Sequence, residues 1–221
     1  MARGAGLRRA ADAGMTLCLF LLMGFPFFGM TAHMVGGLVF FACMFLHHWL
    51  NRRWSFSLLR GKWNAVRIWQ TGINLLLAAD MAALLWSSLI LAGAVWPGFP
   101  RMGSFALGRE IHMAAAYWGF VLMSAHIGLH GEMIAGAGRR WSAAGKRAFS
   151  TAFLAAAAYG AWALYERQWL SYLFLQTEFV FFDFQESRFL FYLDHEAIMA
   201  LFIWIGYQGL KAARRIQRRK R

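Results

Sequence analysis

Seven histidines occur in this chain, and six of them fall in two apolar stretches: His33, His47 and His48 in one, His112, His126 and His130 in the other. His195 stands apart. Ionisable side chains inside segments long enough to cross a membrane are costly, and they imply a function. His33 and His47 are 14 residues apart, and so are His112 and His126. In a helix, 14 steps of roughly 100° return to within about 40° of the starting direction, so each pair shares one face. The same 14 residues climb about 21 Å, which puts one imidazole near each boundary of a ~30 Å hydrocarbon layer. Two such helices running parallel level His33 with His112 and His47 with His126. That arrangement suits axial ligation of two stacked haems b, one near each membrane face. His48 is turned about 100° away from the stripe and reads as a neighbour or propionate contact. His130 lies five turns from His112, shares its face, and competes with His126 as the inner ligand. The plain alternative is that all of these are interfacial or interhelical hydrogen-bonding histidines. The 12 methionines are scattered through the apolar blocks and read as packing.

The elements that must carry these residues are membrane spans. Of the 221 residues, 60% are hydrophobic and 15% charged, against about a quarter charged in soluble domains. Disorder, a soluble enzyme and a disulfide scaffold are excluded. Apolar blocks between charge clusters predict six helices, over 13–31, 32–50, 65–95, 108–135, 148–168 and 190–210. The net charge of +13 would suggest nucleic acid, but its distribution argues otherwise. With the N-terminus inside, Arg3, Arg8 and Arg9 are cytoplasmic. So are Arg52, Arg53, Arg60, Lys62 and Arg67 in one loop, Arg139, Arg140, Lys146 and Arg147 in another, and the tail from Lys211 to Arg221. Only Arg101, Arg109, Arg167 and Arg188 fall outside. This is the positive-inside pattern, which orients the chain and attracts anionic headgroups. Seven of the ten acids fall outside, Asp12 and Glu132 inside, and Asp80 mid-helix. The expectation is an all-α integral membrane protein, a single domain over 1–221, with six spans and both termini cytoplasmic. Met15–Met30 reads as a retained anchor, because Pro26-Phe27-Phe28 stands where small residues would precede a cleavage site.

Other chemistries lack support. Cys18 and Cys43 lie in different helices and read as small buried apolar residues. No Cys-x-x-Cys, phosphate-binding glycine loop or His-Glu-x-x-His occurs, which removes covalent c-type haem, iron–sulfur clusters and zinc hydrolysis. The two histidine stretches also align as a weak repeat: His33 over His112, His47 over His126, and Asn51 over His130. Gly36 and Gly37 align with Ala115 and Ala116, small residues that let a flat macrocycle approach. Ser124, Thr31 or backbone carbonyls are expected to hold the second imidazole nitrogens. Arg52 and Arg53 suit the propionates of an inner haem and Arg109 those of an outer one, with topological anchoring the equal alternative.

The run His33-x13-His47-His48-x2-Asn51-Arg52-Arg53-Trp54, then Gly61-Lys62-Trp63-Asn64-Ala65-Val66-Arg67-Ile68, Gln70-Thr71-Gly72-Ile73-Asn74 and His112 to His130, resembles a family of bacterial membrane cytochromes. That family was first grouped as DUF4405 and is described as the flavinylation-associated cytochromes. The resemblance covers residues 30–135. It implies a haem b protein of the bacterial cytoplasmic membrane that moves electrons across it, often toward extracytoplasmic proteins carrying bound flavin, with His33, His47, His112 and His126 as ligands. The paired histidines are also similar to those of cytochrome b561 and formate-dehydrogenase cytochrome subunits.

Two features fall outside that reading. Asp80, centred in an apolar run, is either a proton acceptor or a partner for a polar group on a neighbouring helix. The outer segment 169–190 interleaves Phe179, Phe181, Phe182, Phe184 and Phe189 with acids. It is expected to lie in the interface plane, as a helix joining spans, a cover over the outer haem, a quinone pocket with His195, or a partner-docking surface. The expected function is electron transfer through two bis-histidine haems, as an electron-transfer protein or a membrane subunit of an oxidoreductase. One alternative is a quinol-oxidising cytochrome b subunit of a larger complex. Another, of a different class, is a haem-free transporter or scaffold whose histidines bind a metal or a proton.

Overall fold

Polar caps and glycine breaks decide where the helices begin and end. A computed structural model describes residues 2–58, 60, 62–96, 98–132 and 140–219. Arg139, Gly61, Lys220 and Arg221, which entered the charge pattern or the family motif, lie outside the described residues. Among the described residues the regular structure is helical, without strands: α1 (Ala2–Met23), α2 (Phe25–Leu50), α3 (Arg52–Ser57), α4 (Ala65–Val95), α5 (Phe105–Leu129), α6 (Ala143–Glu166), α7 (Trp169–Leu173) and α8 (Arg188–Arg219). Asn64, Ser104 and Ser142 accept hydrogen bonds from the backbone N–H of Arg67, Leu107 and Gly145, satisfying first-turn donors of α4, α5 and α6.

Among the described residues four helices, α2, α4, α6 and α8, are long and apolar enough to cross a membrane. The chain is therefore an all-helical, multi-pass membrane protein by length and composition. Two of the six expected spans, α1 and α5, are long but less apolar. Arg3, Arg8 and Arg9 dilute the first; Arg109, Glu110, His112 and His126 dilute the second.

The fold divides into two units. One comprises α1–α3 with Phe182–Arg188, the other α4–α7 with the rest of α8. In the first unit α1 and α2 form an antiparallel hairpin. Its centre is Gly29, whose φ of 75° and ψ of 178° are open to glycine and strained for other residues. The single helical turn before it is begun by Pro26. Partners then succeed one another down the pair: Leu21 against Gly36, Cys43 against Gly14, His47 against Asp12, and Arg8 donating to the Leu50 carbonyl. Gly36 thus serves contact between helices, since a Cβ there would meet Leu21 at 2.6 Å. This corrects the expectation that it opens space for a macrocycle. Gly37, by contrast, has nothing within 4 Å of a would-be Cβ.

In the second unit α4 and α5 pair antiparallel, and α8 packs against α5, α4 and α6. Gly128 and Gly206 let α5 and α8 approach until backbone meets backbone: a side chain at either would strike the carbonyl of Ile203 or of Ala125. Ile73, Leu129 and Leu210 form a buried cluster with Val66, Trp69 and Ala125 around it. The Trp69 indole donates to the Gly206 carbonyl, and Arg214 on α8 pairs with Glu132 just past α5. Long apolar side chains left exposed on α2 and α4, among them Leu38, Phe45, Leu75 and Leu76, suit a lipid face.

The outer stretch differs from the expected interfacial helix. It is helical only over Trp169–Leu173, and turns and coil follow. Leu175 has φ 52°, and the Asp183 carboxylate accepts from the Gln185 backbone N–H, a local turn that competes with helix. Phe179, Phe181 and Phe184 are exposed.

Candidate functional site

On α5 the stripe His112, Ala116, Gly119, Met123 and His126 recurs at helical spacing, and it faces α4. Gly119 abuts Asp80 and Met81, and both histidines find their partners on that helix. His126 donates from Nδ1 to Asn74 Oδ1 at 2.7 Å. His112 Nδ1 lies 3.3 Å from Ser88 Oγ and 3.5 Å from Ser87 Oγ. Both serine hydroxyls give their hydrogens to the Leu84 carbonyl, at 2.7 and 3.0 Å, so their oxygens are left to accept. With their hydrogens engaged, the serine oxygens suit a proton on His112 Nδ1.

The same logic holds on α2. His47 Nδ1 is 2.6 Å from Asp12 Oδ1, and an ionised carboxylate can only accept. His33 packs edge-on against Phe25, with ring centroids 5.2 Å apart, and its contact with Leu22 does not engage Nδ1, which is buried without a hydrogen-bond partner. His47, His112 and His126 are therefore each held at Nδ1 by a group on the antiparallel neighbour of the helix that carries them. The two hydroxyls expected to serve do not. Ser124 donates to the Phe120 carbonyl within α5, and Thr31 is exposed. Three of the rings, held at Nδ1, carry the lone pair on Nε2, which is the donor set that axial coordination of iron uses.

The rival histidines sit differently. His48 is exposed beside His47, their ring centroids 5.7 Å apart. His130 is exposed and caps α5, with φ −97° and ψ 11°. Asn51, its counterpart in the repeat, caps α2 with φ −106° and ψ 11°. The alignment of the two therefore marks a shared helix end. His195 is 3% exposed. Its Nδ1 donates to the Phe191 carbonyl of its own helix, Phe191 stacks on it at 4.0 Å, and Trp169 lies at 5.5 Å. Beside it Asp194 accepts from Arg167 and from the Tyr159 hydroxyl. Tyr117 is buried and stacks on Tyr172, a packing role.

Of the arginines, Arg52 donates to the Trp49 carbonyl and lies over that indole, Arg53 is exposed, and Arg109 faces Glu178 at 3.8 Å. Asp80 Oδ2 is buried with no hydrogen-bond partner and packs on Gly119, seven residues from each α5 histidine. Among the described residues no three of His, Cys, Asp or Glu gather into a metal cluster. The thiols of Cys18 and Cys43 are free and half-buried. No protein-family description, curated protein or solved structure matches this chain. Its function has to be read from these side chains.

Proposed function

We propose that this chain is a b-type cytochrome of the bacterial cytoplasmic membrane, with six spans and both termini cytoplasmic. It carries electrons across the bilayer through two haems ligated by His33, His47, His112 and His126. A bound haem b supplies one-electron chemistry. The protein's own residues do the rest. The four imidazoles hold two levels, about 21 Å apart along each helix. Asp12, Asn74, Ser87 and Ser88 fix the rings and keep Nε2 unprotonated. The lipid-facing aliphatic side chains keep water away.

The observation that carries this reading is a set of acceptors: four histidines at two equal spacings, three of them braced at Nδ1 from the adjacent helix. Brace and ligand are the two halves of a metal-bound histidine. The electron partner is an extracytoplasmic redox protein bearing flavin. Arg109 and the acids near Glu178 lie at that end in the positive-inside topology. The buried, unpartnered oxygen of Asp80 favours a second reading, a quinol-oxidising subunit in which Asp80 takes up a proton. A haem-free transporter is the rival of another class.

A reduced-minus-oxidised spectrum and a pyridine haemochrome assay of protein purified from haem-replete cells test the proposal. About two haems b per chain are expected. One would leave a single pair as ligands, and none would overturn both redox readings.

A further inference from the structure

The braces on His47 and His126 are chemically unequal. His47 is held by the carboxylate of Asp12 at 2.6 Å; His126 is held by the neutral amide of Asn74 at 2.7 Å. The lengths are alike and the charges are not. A carboxylate on Nδ1–H draws the proton outward and makes Nε2 a stronger, more anionic donor. It also adds a negative charge beside the ligand. Both effects favour an oxidised iron over a reduced one. An amide oxygen does this only weakly, and the hydroxyls that hold His112 are at 3.3 and 3.5 Å. Asp12 is thus an acidic acceptor on His47, where the acceptors described on His112 and His126 are neutral. Its own backbone carbonyl takes the Thr16 hydroxyl, and at 52% exposed its side chain gains little stability from the pair.

We infer that Asp12 is a positioning and potential-setting residue. It fixes His47 as the Nδ1–H tautomer and lowers the midpoint potential of the haem that His47 ligates, so the two haems differ in potential. This rests on the proposed function, in that the four histidines are taken as ligands. Each site gains or loses one electron, and no bond is made or broken.

The test uses the full-length protein in detergent with Asp12→Asn, Asp12→Glu and Asn74→Asp. Potentiometric titration of Asp12→Asn should show both haems retained and one midpoint raised. The expected size is about a tenfold to hundredfold change in the oxidised-to-reduced ratio, ~59 to ~118 mV for one electron. The other midpoint should stay put. Asp12→Glu should return the raised value toward wild type, and Asn74→Asp should lower a midpoint. Unmoved potentials in Asp12→Asn at full haem content would overturn the inference, as would equal shifts of both. Protein from haem-starved cells provides a reading that does not need the cofactor. The ¹⁵N shifts of His47 should report Nδ1–H in the wild type and a tautomer mixture in Asp12→Ala. The same mixture in both would also overturn the inference, even if the haems proved absent and the functional proposal had failed on its own.

Discussion

The α1–α2 and α4–α5 hairpins set the same two histidines on the same face of the second helix, yet they brace them in different surroundings. In α4–α5 the braces are neutral, and the back of α5 is covered by α7 and α8, so Phe120 and Ser124 are buried. In α1–α2 the inner brace is an exposed charged pair, and α2 buries only Gly36 and Phe40. Equal spacing of the ligands therefore does not mean equal rigidity. One hairpin holds its imidazoles by dense packing plus neutral hydrogen bonds. The other depends on one carboxylate. In the first, orientation is secured by the fold; in the second, by a single group that a point mutation can remove.

The largest effects should come from the ligands, and they would break the comparison outright if the hairpins were not equivalent. His47→Ala and His126→Ala should each lose the inner haem, and His33→Ala and His112→Ala the outer one, leaving about one haem per chain by pyridine haemochrome. Loss from His48→Ala or His130→Ala, with His47→Ala or His126→Ala unaffected, would remove the assignment. Next comes packing. Gly206→Val drives a side chain into the Ala125 backbone, which cannot step aside, and should cost about 3 kcal/mol in thermal unfolding of the detergent-solubilised protein. Gly37→Ala, with open space around it, should cost nothing and gain up to ~1 kcal/mol of helix propensity. A smaller change is expected from Asn74→Leu. It removes the brace on His126 and leaves the ligand, so haem retention against apomyoglobin should weaken about 10- to 100-fold. The smallest is His130→Ala, which alters an exposed cap and should leave both haems and both potentials in place.

Much of this was legible in the chain. The 65–95 helix matches its expected limits because Asn64 supplies a cap and the apolar run is unbroken. The boundary expected near residue 31 falls close to Gly29, the real point of reversal, although helix resumes after Gly24 for one turn. The shared faces of the paired histidines follow from periodicity alone. The braces were missed, because register between antiparallel helices is set by packing and turn geometry that no spacing within one helix contains. A trace was present all the same. Asn74 and Ser88 are themselves 14 residues apart, the interval of the histidines they hold, as an antiparallel neighbour requires. Past Leu173 the outer segment leaves the helix that its aromatic and acidic alternation suggests. The Asp183 turn and the positive φ of Leu175 override that pattern.

The two serine hydroxyls tied to the Leu84 carbonyl bear on how the protein is made. Their hydrogens are spent inside α4 before any cofactor arrives, so His112 is oriented as soon as α4 and α5 meet in the bilayer. Under the proposed function such a chain can be inserted and folded first and loaded afterwards. Newly synthesised protein should then accumulate as a stable, empty precursor when haem supply lags behind translation.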